Sequence, residues 1–568
     1  MVLLCTYLGE ERTRDELIPL TTEMIDKIDE NSELMVVLAE QLGLLSGYIG
    51  PKEHLPILLK PLELIANSDE SVVREKTVEA LSKIAAKLSK EQHGEHFLPL
   101  VKKLAKGDTY MTKITSTGLF VAAYPNINTA EQEILRQFYI TLCKDDTPMV
   151  RRAAAVNFPK FALVLNPSLI KAEFISVIQE MMTDMQDSVK VSAVEAGSKL
   201  ITQLKNEEVS KSLLSSMKAS INDSKAWRLR FALAEITPSI LECISRSCIN
   251  EYVLPWIAGM LTDSEAEVRS QSLLALPSLS KHSTPESLAE KILPSLNGSL
   301  VKDPSEHVRS SLASVICEVG GTFPQRQVEE GKQDLMETYI VPVCVCLSKD
   351  DNMDVRLSLF QHIHHIIRSL TNAQIDNHII PLLMTVSNDK QWRVRNEVVK
   401  HLPELAKKID MEVLKDKIVS FSLAFLNDSA FHIRKEATEA LAKLSELISS
   451  KWLEEKILIK VNEFKASTNY LMRVNALLFI ARLKSSLSSE LINDKLVPII
   501  VSLKGDTVPS VRLNVAKCLE GLAQQLSDSN LRREVVPALK KLLEDEDFDV
   551  RYHAEKAMQN ERIRSFYF

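Results

Sequence analysis

The densest cluster of metal-ligating side chains in this 568-residue sequence is QHIHHII, where His362, His364 and His365 fall within four positions. On a helix His362 and His365 share a face, but two imidazoles with no carboxylate on that face make a weak metal site. They read as ordinary helix residues. There is no GxxxxGKS/T or GxGxxG loop to cradle a phosphate and no HExxH pair for a metalloprotease zinc. His-Glu dipeptides, on which one class of helical-repeat hydroxylases seats di-iron, are also absent. The eight cysteines include no CxxC pair and show no framework spacing. With neither nucleophile, ligand set nor phosphate loop, no enzyme, metal or cofactor is expected.

What the composition favours instead is surface built from helices. Hydrophobic residues make up 45% and charged residues 26%, with only 15 glycines and 5% aromatics, a balance that suits many amphipathic helices better than sheet. A net charge of -7 and a pI near 6.0 argue against a phosphate backbone or an anionic membrane as principal partner. No apolar run approaches the roughly 20 residues that span a bilayer. MVLLCTYLGEERTR lacks a basic n-region and a cleavage site, so it is expected to be the end of a core helix. The cysteines read as reduced, mostly core-facing thiols of an intracellular protein, cytoplasmic and also nuclear.

The elements that position these surfaces follow from an internal repeat. An Asp is followed six residues later by Arg or Lys, usually behind Val or Ile, and then by an apolar-periodic run: DTPMVRRAAA, DSEAEVRSQS, DKQWRVRNEV, DSAFHIRKEA and DTVPSVRLNV are clear copies. The basic markers are Arg74, Lys113, Arg151, Lys190, Arg230, Arg269, Arg309, Arg356, Arg395, Arg434, Arg473, Arg512 and Arg551, with Met35 in the corresponding place of an earlier copy. Their spacing is constant to within one position everywhere except in one longer step, from Arg309 to Arg356.

Each marker opens a helix, helix B, whose buried stripe in one copy is Val511, Val515, Cys518 or Leu519, and Leu522. A second helix, A, is expected to begin near a Pro that stands at a fixed interval ahead of the marker. Pro99 precedes Lys113 in this way, and Pro255, Pro342, Pro381, Pro498 and Pro537 precede Arg269, Arg356, Arg395, Arg512 and Arg551. Neither helix buries its apolar face alone, so stacking creates the core. The fold class is therefore all-α, a right-handed α-α superhelix of HEAT type, about fourteen complete repeats plus an N-terminal fragment. The recurrent Asp and Arg either form a polar ladder along the stacked turns, or cap helix B and lie along apolar surface respectively. The eight extra residues of the long step, within GGTFPQRQVEEGKQD from Gly320, belong to a surface linker between helices B and A.

In such a stack partners bind the continuous ridge of turns and B helices. Trp227 with Arg228 and Trp392 with Arg393 stand just before a marker, in a surface turn, where a Trp beside an Arg is a typical interface anchor. The other reading is that each Trp packs back on its own repeat. Pro148 either serves an interface or only sets the turn. Trp256 and Trp452 lie in helix A patterns and are expected in the core.

Beyond its generic repeat, the sequence resembles one family closely, the scaffolding A subunits of protein phosphatase 2A. ERTRDELIPL, LAEQLG, LCKDDTPMVRRAAA, KAWRLR, DKQWRVR, NYLMR and VRLNVAKCL look like that family's, in order, from residue 1 to about 560. The resemblance implies a horseshoe of fifteen repeats. The last five would hold a phosphatase catalytic subunit, whereas the earlier ones would hold an exchangeable regulatory B-type subunit. Residues 16–380 would then be regulatory-subunit-binding repeats and residues 381–568 catalytic-subunit-binding repeats. Carried over by position, the catalytic-subunit side uses Trp392, Arg393, Phe431, Tyr470, Arg473 and the turn at Val508. Phe431 stands where the family commonly has Tyr, which removes a hydroxyl. The regulatory-subunit side uses Glu33, Tyr110, Asp146, Thr147, Pro148, Met149, Arg151, Arg152, Trp227 and Arg228. No nucleic acid or membrane is implied.

The chain departs from the family at its start, where residues 1–15 correspond to a remnant of the first repeat. A karyopherin-like transport adaptor, also built from HEAT repeats, is the competing expectation. Those chains are usually longer and carry acidic runs, and no block of five or more acids occurs here.

Overall fold

The computed structural model describes residues 1–28, 31–221, 226–323, 334–409, 414–447 and 450–566. Among them there is no strand, and helix pairs follow one another along the chain. They form two compact units, Met1–Ile292 and Leu293–Phe568. Among the described residues no helix is long and apolar enough to cross a membrane.

Helix B begins three residues before each marker: Ser71–Ala85, Pro148–Ala162, Trp227–Leu241, Trp392–Ala406, Phe431–Ser445, Tyr470–Leu483, Pro509–Leu522 and Phe548–Gln559 are examples. The stripe Val511, Val515, Cys518, Leu519 and Leu522 is buried as the periodicity requires. Within each unit, successive B helices pack closely on one another. A Cβ added to Gly43 would stand 3.0 Å from the Cβ of Ala80, so the helix Ser32–Leu44 approaches Ser71–Ala85 too closely there for a larger residue. Six cysteines are buried, Cys243 is partly so and Cys346 is exposed. Trp256 is in the core, whereas Trp452 is only half-buried under Lys456.

Helix A departs from expectation. It starts well before the Pro, which lies inside it. Ahead of Pro99 the chain runs through a capping box at Ser89, a short helix Lys90–Gln92 and a π-helical turn His93–Phe97 before Leu98–Ala105. The same π turn precedes Pro255, Pro342, Pro381, Pro498 and Pro537. Proline has no N–H and its ring crowds the carbonyl four residues back, so a wider turn immediately upstream accommodates it. Proline is not the sole cause, because Ile170–Phe174 forms the turn with Ser176 in the proline position.

The polar ladder exists, and its contacts run between repeats. Each marker arginine in it spreads its guanidinium over two repeats. Nη1 of Arg151 donates to the carbonyls of Asp145 (2.8 Å) and Asp146 (3.0 Å) in its own turn. Its Nε and Nη2 donate to the two carboxylate oxygens of Asp184 in the next turn, at 2.7 and 2.9 Å. The forked pair recurs from Arg230 to Asp263, Arg309 to Asp350, Arg356 to Asp389, Arg395 to Asp428, Arg473 to Asp506 and Arg512 to Asp545, with Nε to Oδ2 distances of 2.5 to 2.7 Å. The Asp does not cap helix B. Its Oδ1 accepts the N–H two residues on, as Asp428 does from Ala430 (2.8 Å), and so closes the turn ahead of the helix.

The ladder also locates the insertion. Partners are 33 residues apart in the regular steps and 41 from Arg309 to Asp350, so the eight extra residues precede Asp350. Helix Glu306–Gly321 is complete and the next helix A is under way at Met336, which leaves the linker between them. Residues 324–333 of that predicted loop lie outside the described residues.

Among the described residues, two marker arginines with a repeat after them, Arg74 and Arg434, have no aspartate at the matching place. Gly107 follows Arg74, and Ser467 follows Arg434, at the interval that separates Arg356 from Asp389. In both, Nε of the arginine is buried with no hydrogen-bond partner. Both junctions carry a bond of another kind. Thr115 donates to the carbonyl of Ala66 at 2.8 Å, and Asn475 Nδ2 to that of Leu426 at 3.1 Å.

The ladder sets an acid limit. Burial pushes the carboxyls of Asp263, Asp350, Asp428 and Asp506 up, but the facing guanidinium and the turn N–H outweigh it and hold them below the ordinary range. A depressed folded value adds stability that is present in full above the unfolded value of about 4 and is lost as pH falls through the folded one. Thermal unfolding should therefore change little from neutral pH down to about pH 5, then drop in midpoint below about pH 4. Asp506→Asn should flatten that drop while lowering the midpoint at neutral pH.

Candidate functional site

The core stripe of helix B usually begins one residue before the marker, as with Val394, Ile433 and Val550, while Met472 holds that place half-buried. A side chain at the first helical position, two residues earlier, therefore faces away from the core and out of the turn. Trp392, Phe431 and Tyr470 occupy that position in three consecutive repeats and are 43%, 56% and 41% exposed. His432 meets the Trp392 ring edge-on at 5.8 Å, and the exposed Arg393 guanidinium lies 5.8 Å from its centroid. Trp392 thus packs within the surface row and not into its own repeat. Val508 is half-buried in the turn that Asp506 closes, its N–H donating to that carboxylate at 2.9 Å. Arg473 is committed to Asp506 and to the carbonyl of Ser467, and so it fixes the turn carrying Tyr470.

Sequence reasoning missed Phe548. It opens the last helix B in the same register and is 70% exposed, with the Arg551 guanidinium 5.8 Å from its ring. The signal was available, three residues before the final marker. Tyr552, in the register of Arg152, is exposed beside it.

In the other unit, Tyr110, Met149 and Arg152 line one open groove of about 910 Å³ together with Val78, Val156 and Lys160. Tyr110 and Met149 are 40% and 59% exposed, which leaves apolar surface facing solvent between charged rims. Pro148 is the first residue of its helix behind Thr147, whose N–H donates to Asp145. Asp146 is exposed and its carbonyl, with that of Asp145, receives Arg151. Arg151 is therefore spent on the ladder, while Arg152 faces the groove. Trp227 is half-buried under the exposed Arg228, 4.6 Å from its ring, and this pair and the exposed Glu33 lie outside the groove.

The structure does not turn the histidine cluster into a ligand set. His401 of the next B helix joins it, stacked 5.2 Å from His364, which is itself 4.1 Å from His365. Burial, then the neighbouring His364, pushes His401 down to about 4. His362 spends Nδ1 on the Ser358 carbonyl at 2.8 Å. Among the described residues no group of three or more His, Cys, Asp or Glu is placed to hold a metal ion.

Known proteins match this chain over parts of its length. A family model described as PIK3R4-like, middle domain, matches residues 56–319 and 288–500, and one described as HEAT repeat matches residues 496–526. The regulatory A subunit of protein phosphatase PP2A from Schizosaccharomyces pombe is 37% identical over 246 residues, covering 43% of this chain and 41% of the relative. The beta isoform of the human 65 kDa regulatory A subunit of serine/threonine-protein phosphatase 2A is 33% identical over 360 residues, 63% of this chain and 58% of the relative. The chain belongs to the family of phosphatase 2A regulatory A subunits. The PIK3R4-like match takes in more than half of its length and places it in that family as well. The aligned stretches span 41% and 58% of the length of these two A subunits. Among solved structures, Kap121p bound to RanGTP aligns with a TM-score of 0.64 at 16% identity, over 95% of this chain and 57% of that one. That likeness shows the fold alone.

If the aromatic row is surface and not core, truncating it costs little stability. Trp392→Ala, Phe431→Ala and Phe548→Ala should each leave the free energy of unfolding within about 0.5 kcal/mol of the unaltered chain in denaturant titrations. A loss of about 3 kcal/mol, as for a buried aromatic, would show that the rings belong to the core.

Proposed function

We propose that the chain is a non-catalytic scaffold that assembles a phosphatase, holding a catalytic subunit on the turns of its C-terminal unit and an exchangeable regulatory subunit on those of its N-terminal unit. The observation that carries this is the row of exposed aromatics at one repeat position, Trp392, Phe431 and Tyr470, in a chain of the A-subunit family. Large rigid side chains on ladder-fixed turns are what a high-affinity protein surface uses, since little conformational freedom is lost on docking. Trp392, Arg393, Phe431, Tyr470 and Val508 would meet the catalytic subunit, with Phe548 continuing the row. Tyr110, Met149 and Arg152 in the groove would meet the regulatory subunit, flanked by Asp146, Thr147 and Pro148, with Glu33, Trp227 and Arg228 on neighbouring turns. Arg151 and Arg473 serve by holding those turns in place.

The two surfaces belong to repeats that are not neighbours, so they should fail separately. Truncating a hot-spot Trp typically costs about 2 kcal/mol or more, roughly a 30-fold loss of affinity. Trp392→Ala should release the catalytic subunit, and Arg152→Glu should release the regulatory subunit while the complex with the catalytic subunit survives. Co-precipitation of both partners with each variant reads the outcome. Full retention of the catalytic subunit by Trp392→Ala, or loss of the same partner by both variants, would refute the assignment.

A further inference from the structure

The two gaps in the ladder differ in one chemical respect. At the first, Gly107 has no side chain. At the second, Ser467 offers a hydroxyl in the register where Asp389, Asp428, Asp506 and Asp545 offer a carboxylate. The serine is already oriented as those aspartates are. Its Oγ accepts the N–H of Asn469 at 3.2 Å, as Asp506 Oδ1 accepts that of Val508 at 2.9 Å.

Across the junction Arg434 is prepared for an anion it does not have. It is 3% exposed, and its Nη1 holds the carbonyls of Asp428 (2.8 Å) and Ser429 (3.0 Å) much as Arg395 and Arg473 hold their own turns. Its Nε, the atom that reaches the next carboxylate in Arg356, Arg395, Arg473 and Arg512, is buried without a partner. Burial pushes this guanidinium down, whereas those of Arg395, Arg473 and Arg512 are raised by the facing carboxylate. The turn remains open to a modifying enzyme: Ser467 is half-buried, and Thr468 and Asn469 beside it reach solvent.

We propose that Ser467 is a phosphorylation site, and that its phosphate takes the place of the missing aspartate and pairs with Arg434 to close the junction between the two repeats. A phosphoserine carries close to two negative charges and three acceptor oxygens, the chemistry a forked guanidinium binds best. In the transfer, the Ser467 Oγ–P bond forms as the bond between the γ-phosphorus of a nucleoside triphosphate and its bridging oxygen breaks. The bonding electrons leave with the diphosphate, and the hydroxyl proton passes to a base of the kinase. Closing the gap would stiffen the turn that presents Tyr470, whatever docks there.

The test installs phosphoserine at position 467 of the full chain by genetic encoding and compares it with the unmodified chain, Ser467→Ala and Ser467→Asp. Phosphorus NMR should find the second phosphate ionisation well below the value of about 6 of free phosphoserine, and hydrogen exchange in Tyr470–Leu483 should slow about tenfold. Arg434→Met should abolish both effects. Should that variant unfold, Arg434→Lys, which keeps the charge without the fork, should retain only part of the slowing. A phosphate that titrates near 6 with unchanged exchange, or one that speeds exchange, would overturn the proposal. So would protection by Ser467→Asp but not by phosphoserine, since the position would then be only an empty carboxylate slot. Peptide mapping of the chain from its own growing and stressed cells should find phosphate on Ser467, and its absence from every sample would also refute the assignment.

Discussion

One interaction, made at junction after junction, organises the stack: a guanidinium that holds its own turn by the backbone and the next turn by a carboxylate. A helix pair of about 39 residues buries too little to stand alone, so the stack is only as well defined as the junction between neighbours. Apolar packing between B helices supplies most of the association but tolerates sliding, because aliphatic surface is not directional. The forked Arg–Asp pair adds direction. Its members are nearly buried, as in Arg395 and Asp428 with 12% and 8% of their side chains exposed, so removing one leaves the other costly to bury.

That constraint explains where the candidate binding residues lie. The turns fixed by the ladder end at the first position of helix B, which points away from the core. Aromatic side chains there are held rigidly without contributing much to folding, so their identity is free to serve a partner. Arginines in the marker position are the opposite case. Arg151 and Arg473 sit among the candidate contacts in sequence, yet their donors are spent inside the chain. The neighbouring Arg152 and Arg393 are exposed.

Much of this was legible in the sequence because the repeat is strict. The phase of helix B, the buried stripe at Val511 to Leu522 and the linker position of the insertion follow from spacing alone. The start of helix A did not, since Pro99 and its counterparts look like helix openings. Only the backbone shows that a π turn lets the helix run through them. Phe548 was readable by register and was passed over because motif resemblance, not position, selected the candidates. The ladder gaps were visible as Gly107 and Ser467, but their meaning was not. It took the unpartnered Nε of Arg74 and Arg434 to show that nothing else fills the place of the carboxylate.

Whether inter-repeat Arg–Asp pairs hold the turns that present the docking surface is decided by a double-mutant cycle on Arg395 and Asp428. Arg395→Met, Asp428→Asn and the double variant would each be measured for unfolding free energy and for affinity toward the phosphatase catalytic subunit. A coupling energy of about 2 kcal/mol in stability is expected. The proposed binding of the catalytic subunit should weaken in all three variants, although Trp392 and Phe431 are untouched. Additive stability effects with unchanged affinity would refute this role, leaving the pair as decoration on a stack held by apolar packing alone.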